Sequence, residues 1–158
     1  MNQPHHDSEA NHDIEANHDI EANKAVVLEM VDRIVTKGEW DAAADLFAPD
    51  FVAHGAGGGA GDVESMRHLI GAWRRGFPDW RDEILDVIAE RDLVTLRIRA
   101  TGTHLGRIAG VEPTGRRVEW GMIEIIRVRD GRIAEQWGYS DFGDVLASLR
   151  AAHAATEG

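Results

Sequence analysis

The sequence predicts a single α+β domain in which helices cover one face of a curved antiparallel sheet. Three observations lead there. The first half carries apolar residues at helical spacing, the second half reads as Val/Ile-rich strands separated by turn residues, and 158 residues with 43% hydrophobic content supply one core rather than two. Helices gathered ahead of an unbroken run of strands favour an antiparallel sheet over the alternation that builds a parallel one.

Residues 1–23 read as an acidic tail, either disordered or a frayed helical extension. They hold Asp7, Glu9, Asp13, Glu15, Asp19 and Glu21 with no lysine or arginine, so of the formal charge of −11 only −5 belongs to the rest of the chain. The hexapeptide Glu-Ala-Asn-His-Asp-Ile occurs twice in tandem, over 9–14 and 15–20. At ~100° per residue, Ile14 and Ile20 point about 120° apart, so the repeat builds no apolar stripe. The same spacing keeps His12 and His18 off a common helix face, and no metal site is predicted.

The domain is expected over 24–152, with 153–158 a short C-terminal tail. Asn23 is the predicted N-cap of a first helix carrying Val27, Met30, Val31, Ile34 and Val35, stopped by Gly38. A shorter helix is expected from Asp41, with Ala44 and Phe47 as its apolar contacts, ending at Ala48-Pro49. Phe51 to His54 then leads into the glycine-rich stretch 55–61, which lacks the Lys-Ser/Thr of a phosphate loop and reads as a flexible connection. Asp62 caps a third helix whose Met66, Leu69, Ile70 and Trp73 share a face as far as Gly76. Strands are predicted over 84–89, 93–103, 118–128 and 133–140, and a closing helix with Val145, Leu146 and Leu149 after Asp141.

Several function classes are disfavoured. The acidic balance opposes nucleic-acid binding. No run approaches the ~20 apolar residues of a membrane span and no secretory start is visible, so a cytoplasmic protein without membrane partners is expected. With no cysteine, chemistry falls to carboxylates, histidines, hydroxyls or an external group, and no cofactor is predicted.

Phe77-Pro78-Asp79, Gly102-Thr103-His104, the run 113–117 (Pro-Thr-Gly-Arg-Arg), Asp130-Gly131-Arg132-Ile133, Gln136-Trp137 and Asp141 occur in an order and spacing that resembles the SnoaL-like polyketide cyclases, over about residues 24–150. The resemblance implies the cone-shaped sheet of the ketosteroid isomerase and nuclear transport factor 2 superfamily, with helices packed on its concave face, and a homodimer. It also implies small-molecule chemistry of secondary metabolism. Relatives close polyketide rings by intramolecular aldol reactions without a cofactor, and more distant ones isomerise ketosteroids or hydrolyse epoxides, so fold alone selects no reaction.

The last hairpin locates a pocket face. A three-residue turn at Arg129-Asp130-Gly131 would pair Val128 with Arg132, Glu124 with Gln136 and Met122 with Gly138; a two-residue turn would pair Glu124 with Trp137. The first is favoured because it sets Glu124 beside another polar residue and puts Trp120, Met122, Glu124 and Ile126 on one face. Glu124 interrupts the apolar run from Met122 to Ile126, where a charge is costly if buried and unpaired. A pocket would explain it and raise its pKa toward the range of a general acid or base; the alternative is that it faces solvent or pairs with Arg99.

His54, His104 and Asp141 are further catalytic candidates, each with a structural alternative: hydrogen-bonded histidines and a helix cap. Trp120, Met122, Gln136, Gly138, Trp73 and Phe51 are the expected ligand contacts. The resemblance places the relatives' catalytic acid at the position of Gly138, and its supporting glutamine and histidine at Met122 and Glu124, so none of the three is retained. The expected function is therefore an acid/base enzyme in which Glu124 exchanges a proton with a small polyketide-like molecule. The alternatives are a non-catalytic binding module of the same fold and a relative of epoxide hydrolases or hydroxylases.

Overall fold

The computed structural model describes residues 19–55 and 59–156. Of the tail expected over 1–23, residues 1–18 lie outside the described residues, as does the centre of the glycine-rich stretch, 56–58; residues 19–23 are helical, not part of a disordered tail. Helix α1 is already formed at residue 19 and ends in a π-helical segment, Val31–Thr36. Asn23 is thus inside the helix rather than its cap, and its side-chain amide donates to the carbonyl of Arg91 at 3.1 Å. Gly38, at φ +71°, ends α1 as the sequence suggests, since only glycine takes that backbone without strain. A 3₁₀ turn, Trp40–Ala42, and the one-turn α2, Ala43–Leu46, follow.

The chain continues through β1 (Phe47–Gly55), β2 (Ala60–Gly61), α3 (Val63–Gly76), β3 (Arg81–Glu90), β4 (Leu93–Thr103), β5 (Arg117–Arg129), β6 (Arg132–Ser140) and α4 (Phe142–Thr156). Helix α4 covers the residues expected as the start of a C-terminal tail. The cap of α3 is as read from the sequence: Asp62 Oδ1 accepts from the backbone N–H of Ser65 at 2.9 Å and from its hydroxyl at 2.8 Å.

The sheet departs from expectation in shape and direction. Its order is β2-β1-β6-β5-β4-β3, with the two-residue β2 and the long β3 as free edges, so the sheet is open and not the strongly curled cone predicted. Nor is it wholly antiparallel, because β1 joins β6 in parallel. Closure would require β3 to pair with the β1–β2 edge; instead helices cover the inner face. On β4, Val94, Leu96, Ile98 and Ala100 point inward and are buried, while Thr95, Arg97, Arg99 and Thr101 point out. The inward row packs with Val27, Met30 and Ile34 of α1 and Met66 and Ile70 of α3. A second cluster, built on Phe77, Trp120 and Leu149, lies where α4 covers β5.

The last hairpin has neither register considered from the sequence. Asp130 and Gly131 both take positive φ, 52° and 70°, making a two-residue turn that pairs Arg129 with Arg132. A bulge between Arg127 and Val128 then shifts the pairing by one, so Glu124 lies opposite Gly138 and Met122 opposite Ser140. The shift preserves the side of the sheet on which Glu124 sits.

Candidate active site

Between α1, α3 and the inner sheet face lies a cavity of about 560 Å³. Met30, Val31 and Val35 enter from α1, Met66, Leu69, Ile70 and Trp73 from α3, and Leu96, Ile98, Met122 and Ile126 from the sheet. Leu69 is 58% exposed although it lines the cavity, which marks the opening at the α3 side. Arg74 holds the two helices together there: its guanidinium donates to the carbonyls of Val35 and of Thr36, the latter at 2.7 Å, at the end of α1 where carbonyls lack helical partners.

Polar groups in this apolar space are few. Glu124 points into it from β5, and its Oε2 accepts from the Gln136 side-chain amide at 2.8 Å. Gln136 lies diagonally across the β5–β6 ladder, so the neighbour expected from the sequence is present through a different register. Arg99, the alternative partner for Glu124, is on the outer face with Glu83 at 3.2 Å and Glu119 at 3.7 Å. The Glu124 carboxyl is pushed from its ordinary 4.5 up to about 7: burial raises it most, the Gln136 amide opposes, and the charge of Asp82 raises it further.

Gly138 is what makes room for this group. A β-carbon on it would lie 3.0 Å from Glu124 Oε2 and 3.1 Å from Oε1. The Glu124 carboxyl therefore occupies the space that a side chain at 138 would need. Gln136 Oε1 is buried and has no hydrogen-bond partner among the described residues, an acceptor whose neglect costs roughly 1–3 kcal/mol until a donor reaches it.

Asp82 is the group that sequence reasoning missed. It lies on β3 in the row Asp82, Ala100, Trp120, lines the cavity, and accepts from Trp80 Nε1 at 2.8 Å. Burial lifts its carboxyl to about 6. The signal was available: β3 alternates, and counting back by two from the inward Ile84 reaches Asp82.

The other candidates are dispersed. Met122, Gln136, Gly138 and Trp73 line the cavity with Glu124. His54 belongs to the wall, but its ring stacks on Trp137 at 5.0 Å and approaches Glu135 at 3.7 Å, on the side of the sheet away from Glu124. His104, fully buried, is part of a different neighbourhood. Its Nδ1 accepts from the Thr114 backbone N–H at 3.3 Å, its backbone bonds Arg116 and Gly115, and burial depresses its pKa. Asp141 directly precedes α4, and its Oδ1 accepts from the Gly121 N–H at 2.8 Å, tying the end of β6 to β5. Trp120 is covered by Phe142 and Trp73, and Phe51 packs on Phe47 in the main core, so neither is among the cavity-lining residues.

An apolar cavity between helices and an open α+β sheet, with a few convergent carboxyl and amide groups, defines a small-molecule site. Residues 25–149 match the SnoaL-like polyketide cyclases, and the chain belongs to that family. Among solved structures it is similar to wild-type IdmH of Streptomyces antibioticus, described as a "putative polyketide cyclase", with 33% identity over 80% of this chain and 97% of that one and a TM-score of 0.71. It is also similar to AclR of Streptomyces galilaeus, described as a "putative hydroxylase", with 32% identity, 84% and 83% coverage and a TM-score of 0.73. A SnoaL-like protein from Jannaschia sp. CCS1, at 23% identity and a TM-score of 0.75 over 83% of this chain and 93% of that one, shares the fold. A comparison with curated proteins finds no significant match.

Proposed function

We propose that this chain is an acid/base enzyme that transfers a proton within a small, neutral carbonyl compound of secondary-metabolite type, leading to cyclisation or isomerisation. The observation that carries the reading is the Glu124 carboxyl, buried in an apolar cavity and lifted to about 7, where it both takes up and releases a proton near neutrality. Gln136 orients it through Nε2. Gly138 contributes by having no side chain, so that the acid stands on β5 in place of the position on β6 that the family resemblance implies. Proton exchange of this kind calls on no group beyond the carboxyl and the ligand.

The test is Glu124→Gln, which keeps the shape and the hydrogen bond to Gln136. Turnover of a substrate found by screening is expected to fall by about 10²–10⁴-fold with ligand affinity retained. Full activity in the variant refutes the assignment, and tight ligands without turnover in the wild type support a binding module instead. The 32% identity to AclR favours a second reading, a hydroxylase-type reaction. Consumption of dioxygen during turnover separates it from proton transfer alone.

We further propose that the chain forms a homodimer through the outer face of its sheet.

A further inference from the structure

The cavity holds a second carboxyl to which the reading above gives no role. We propose that Asp82, with Trp73 and Trp80, forms a second subsite that receives the hydroxyl hydrogen of a neutral, ring-bearing ligand, a phenol or stable enol, and disfavours ligands carrying a carboxylate. The inference rests on the cavity being the ligand site, as the proposed function requires.

Position sets the argument. Asp82 shares a row with Ala100 and Trp120, whereas Glu124 shares a row with Leu96. Two strand spacings and four residues of strand separate the backbones, roughly 10 Å across and 13 Å along the sheet. The backbones of the two residues therefore stand apart along one cavity wall, with Leu96, Ile98 and Met122 lining the sheet between them, although the Asp82 charge still reaches the Glu124 carboxyl. That apolar span suits a ligand of two or three fused rings held at each end by a polar atom.

The Asp82 end is aromatic. The rings of Trp73 and Trp80 lie 5.4 Å apart, and the Trp80 indole N–H holds Asp82 Oδ1, fixing the carboxyl against the ring wall. No ion pair reaches Asp82 among the described residues. The nearest influence of that kind is Arg74, whose guanidinium sits over Trp80 at 5.9 Å while donating to the α1 carbonyls. Oδ2 is thus an acceptor in a largely apolar cavity with no donor among the described residues, and a ligand hydroxyl supplies one. A ligand carboxylate would add a third acidic group to a wall that includes no lysine or arginine among the described residues, and like charges in such a space repel.

The experiment uses the full chain and three probes of one shape: 2-naphthol, 2-methoxynaphthalene and 2-naphthoate, with affinities read by calorimetry. Wild type is expected to bind the naphthol about tenfold tighter than its methyl ether, with the naphthoate weakest. Asp82→Asn is expected to remove most of the naphthol preference, to leave the methyl ether unchanged and to strengthen the naphthoate. Equal binding of naphthol and methyl ether by wild type overturns the proposal. So does a parallel loss of both in Asp82→Asn, which would make Asp82 a support of the wall. A preference that survives Asp82→Asn and disappears in Glu124→Gln assigns the hydroxyl to the other end and also overturns it. Should Asp82→Asn not fold, nuclear Overhauser contacts in the wild type decide: the naphthol protons flanking the hydroxyl are expected against the Trp80 indole, and contacts to Gln136 instead refute the subsite. Because these readouts are affinities and contacts, they stand apart from turnover, whose survival in Glu124→Gln would refute the acid/base reading and leave the subsite to its own result.

Discussion

At the scale of single residues, the site depends on one exchange of space across a hairpin: Gly138 yields the volume that the Glu124 carboxyl fills. The burial that suits Glu124 to proton transfer also costs stability, with a definite sign. Its folded pKa is raised, so the native state holds a proton that the unfolded chain releases above about 4.5. The Glu124 contribution to native stability therefore falls as pH rises from about 4.5 to about 7, by about 3 kcal/mol, and is flat above that range. Glu124→Gln lacks this titration. Urea unfolding is expected to show the variant equal to wild type near pH 4.5 and more stable at pH 8, and a difference independent of pH would show that the carboxyl is not buried as described. Glu124 was legible in the sequence because a charge broke an apolar run. Asp82 breaks no such run, since Arg81 and Glu83 flank it, and the strand predicted from 84 left it out although β3 begins at Arg81. Trp120 was assigned to the pocket because strand parity gives the face of a sheet, whereas the helix that covers that face, here with Phe142 and Leu149, comes from elsewhere in the chain.

Among the elements, α3 carries the greatest share of the cavity's helical wall, and its C-terminus is anchored by a close approach. The amides of Leu105 and Gly106 both donate to the Gly76 carbonyl, at 3.0 and 3.1 Å. A β-carbon on Gly106 would fall 1.9 Å from the Arg75 carbonyl oxygen, a backbone atom that cannot step aside. Gly106→Ala is expected to destabilise by several kcal/mol, consistent with the large effects of overpacking at a fixed contact. Gly143, in the first turn of α4, has open space where its β-carbon would go, so Gly143→Ala is expected to be neutral or to stabilise by up to about 1 kcal/mol. Thermal melts of the pair check both, and similar melting temperatures would place the 105–106 loop away from α3. The Asp62 cap, the Gly38 stop and four long strands were readable because their signals are local, whereas the cap expected at Asn23 lies inside α1. Strand β1 was not: Phe47 reads equally as the end of a helix, and the parallel partner that makes it a strand, β6, lies some 85 residues away. The hairpin register failed for a related reason, since a bulge adds one residue without marking the sequence.

For the whole molecule, the open sheet leaves its outer face uncovered by its own helices, and that face bears on assembly. It carries Ile123 and Tyr139 side by side across the β5–β6 ladder, with Tyr139 53% exposed. Around them the charges are already matched within the chain: Arg97 with Asp86, Arg99 with Glu83 and Glu119, and Arg127 with Asp92 and Glu135. Such a face has few unpaired charges to desolvate and an apolar centre with a tyrosine, which suits contact with a second copy better than contact with a highly charged partner. A two-fold interface would bring the same patch from each protomer together, so one substitution alters both sides at once. A charge at its centre then separates assembly from catalysis, because Ile123 points away from the cavity that holds Glu124. Wild type is expected to sediment as a dimer at micromolar concentration, and Ile123→Glu as a monomer with its cavity and naphthol binding intact. A wild-type monomer under those conditions rejects the interface, and a dimer that persists in Ile123→Glu places the contact on another surface.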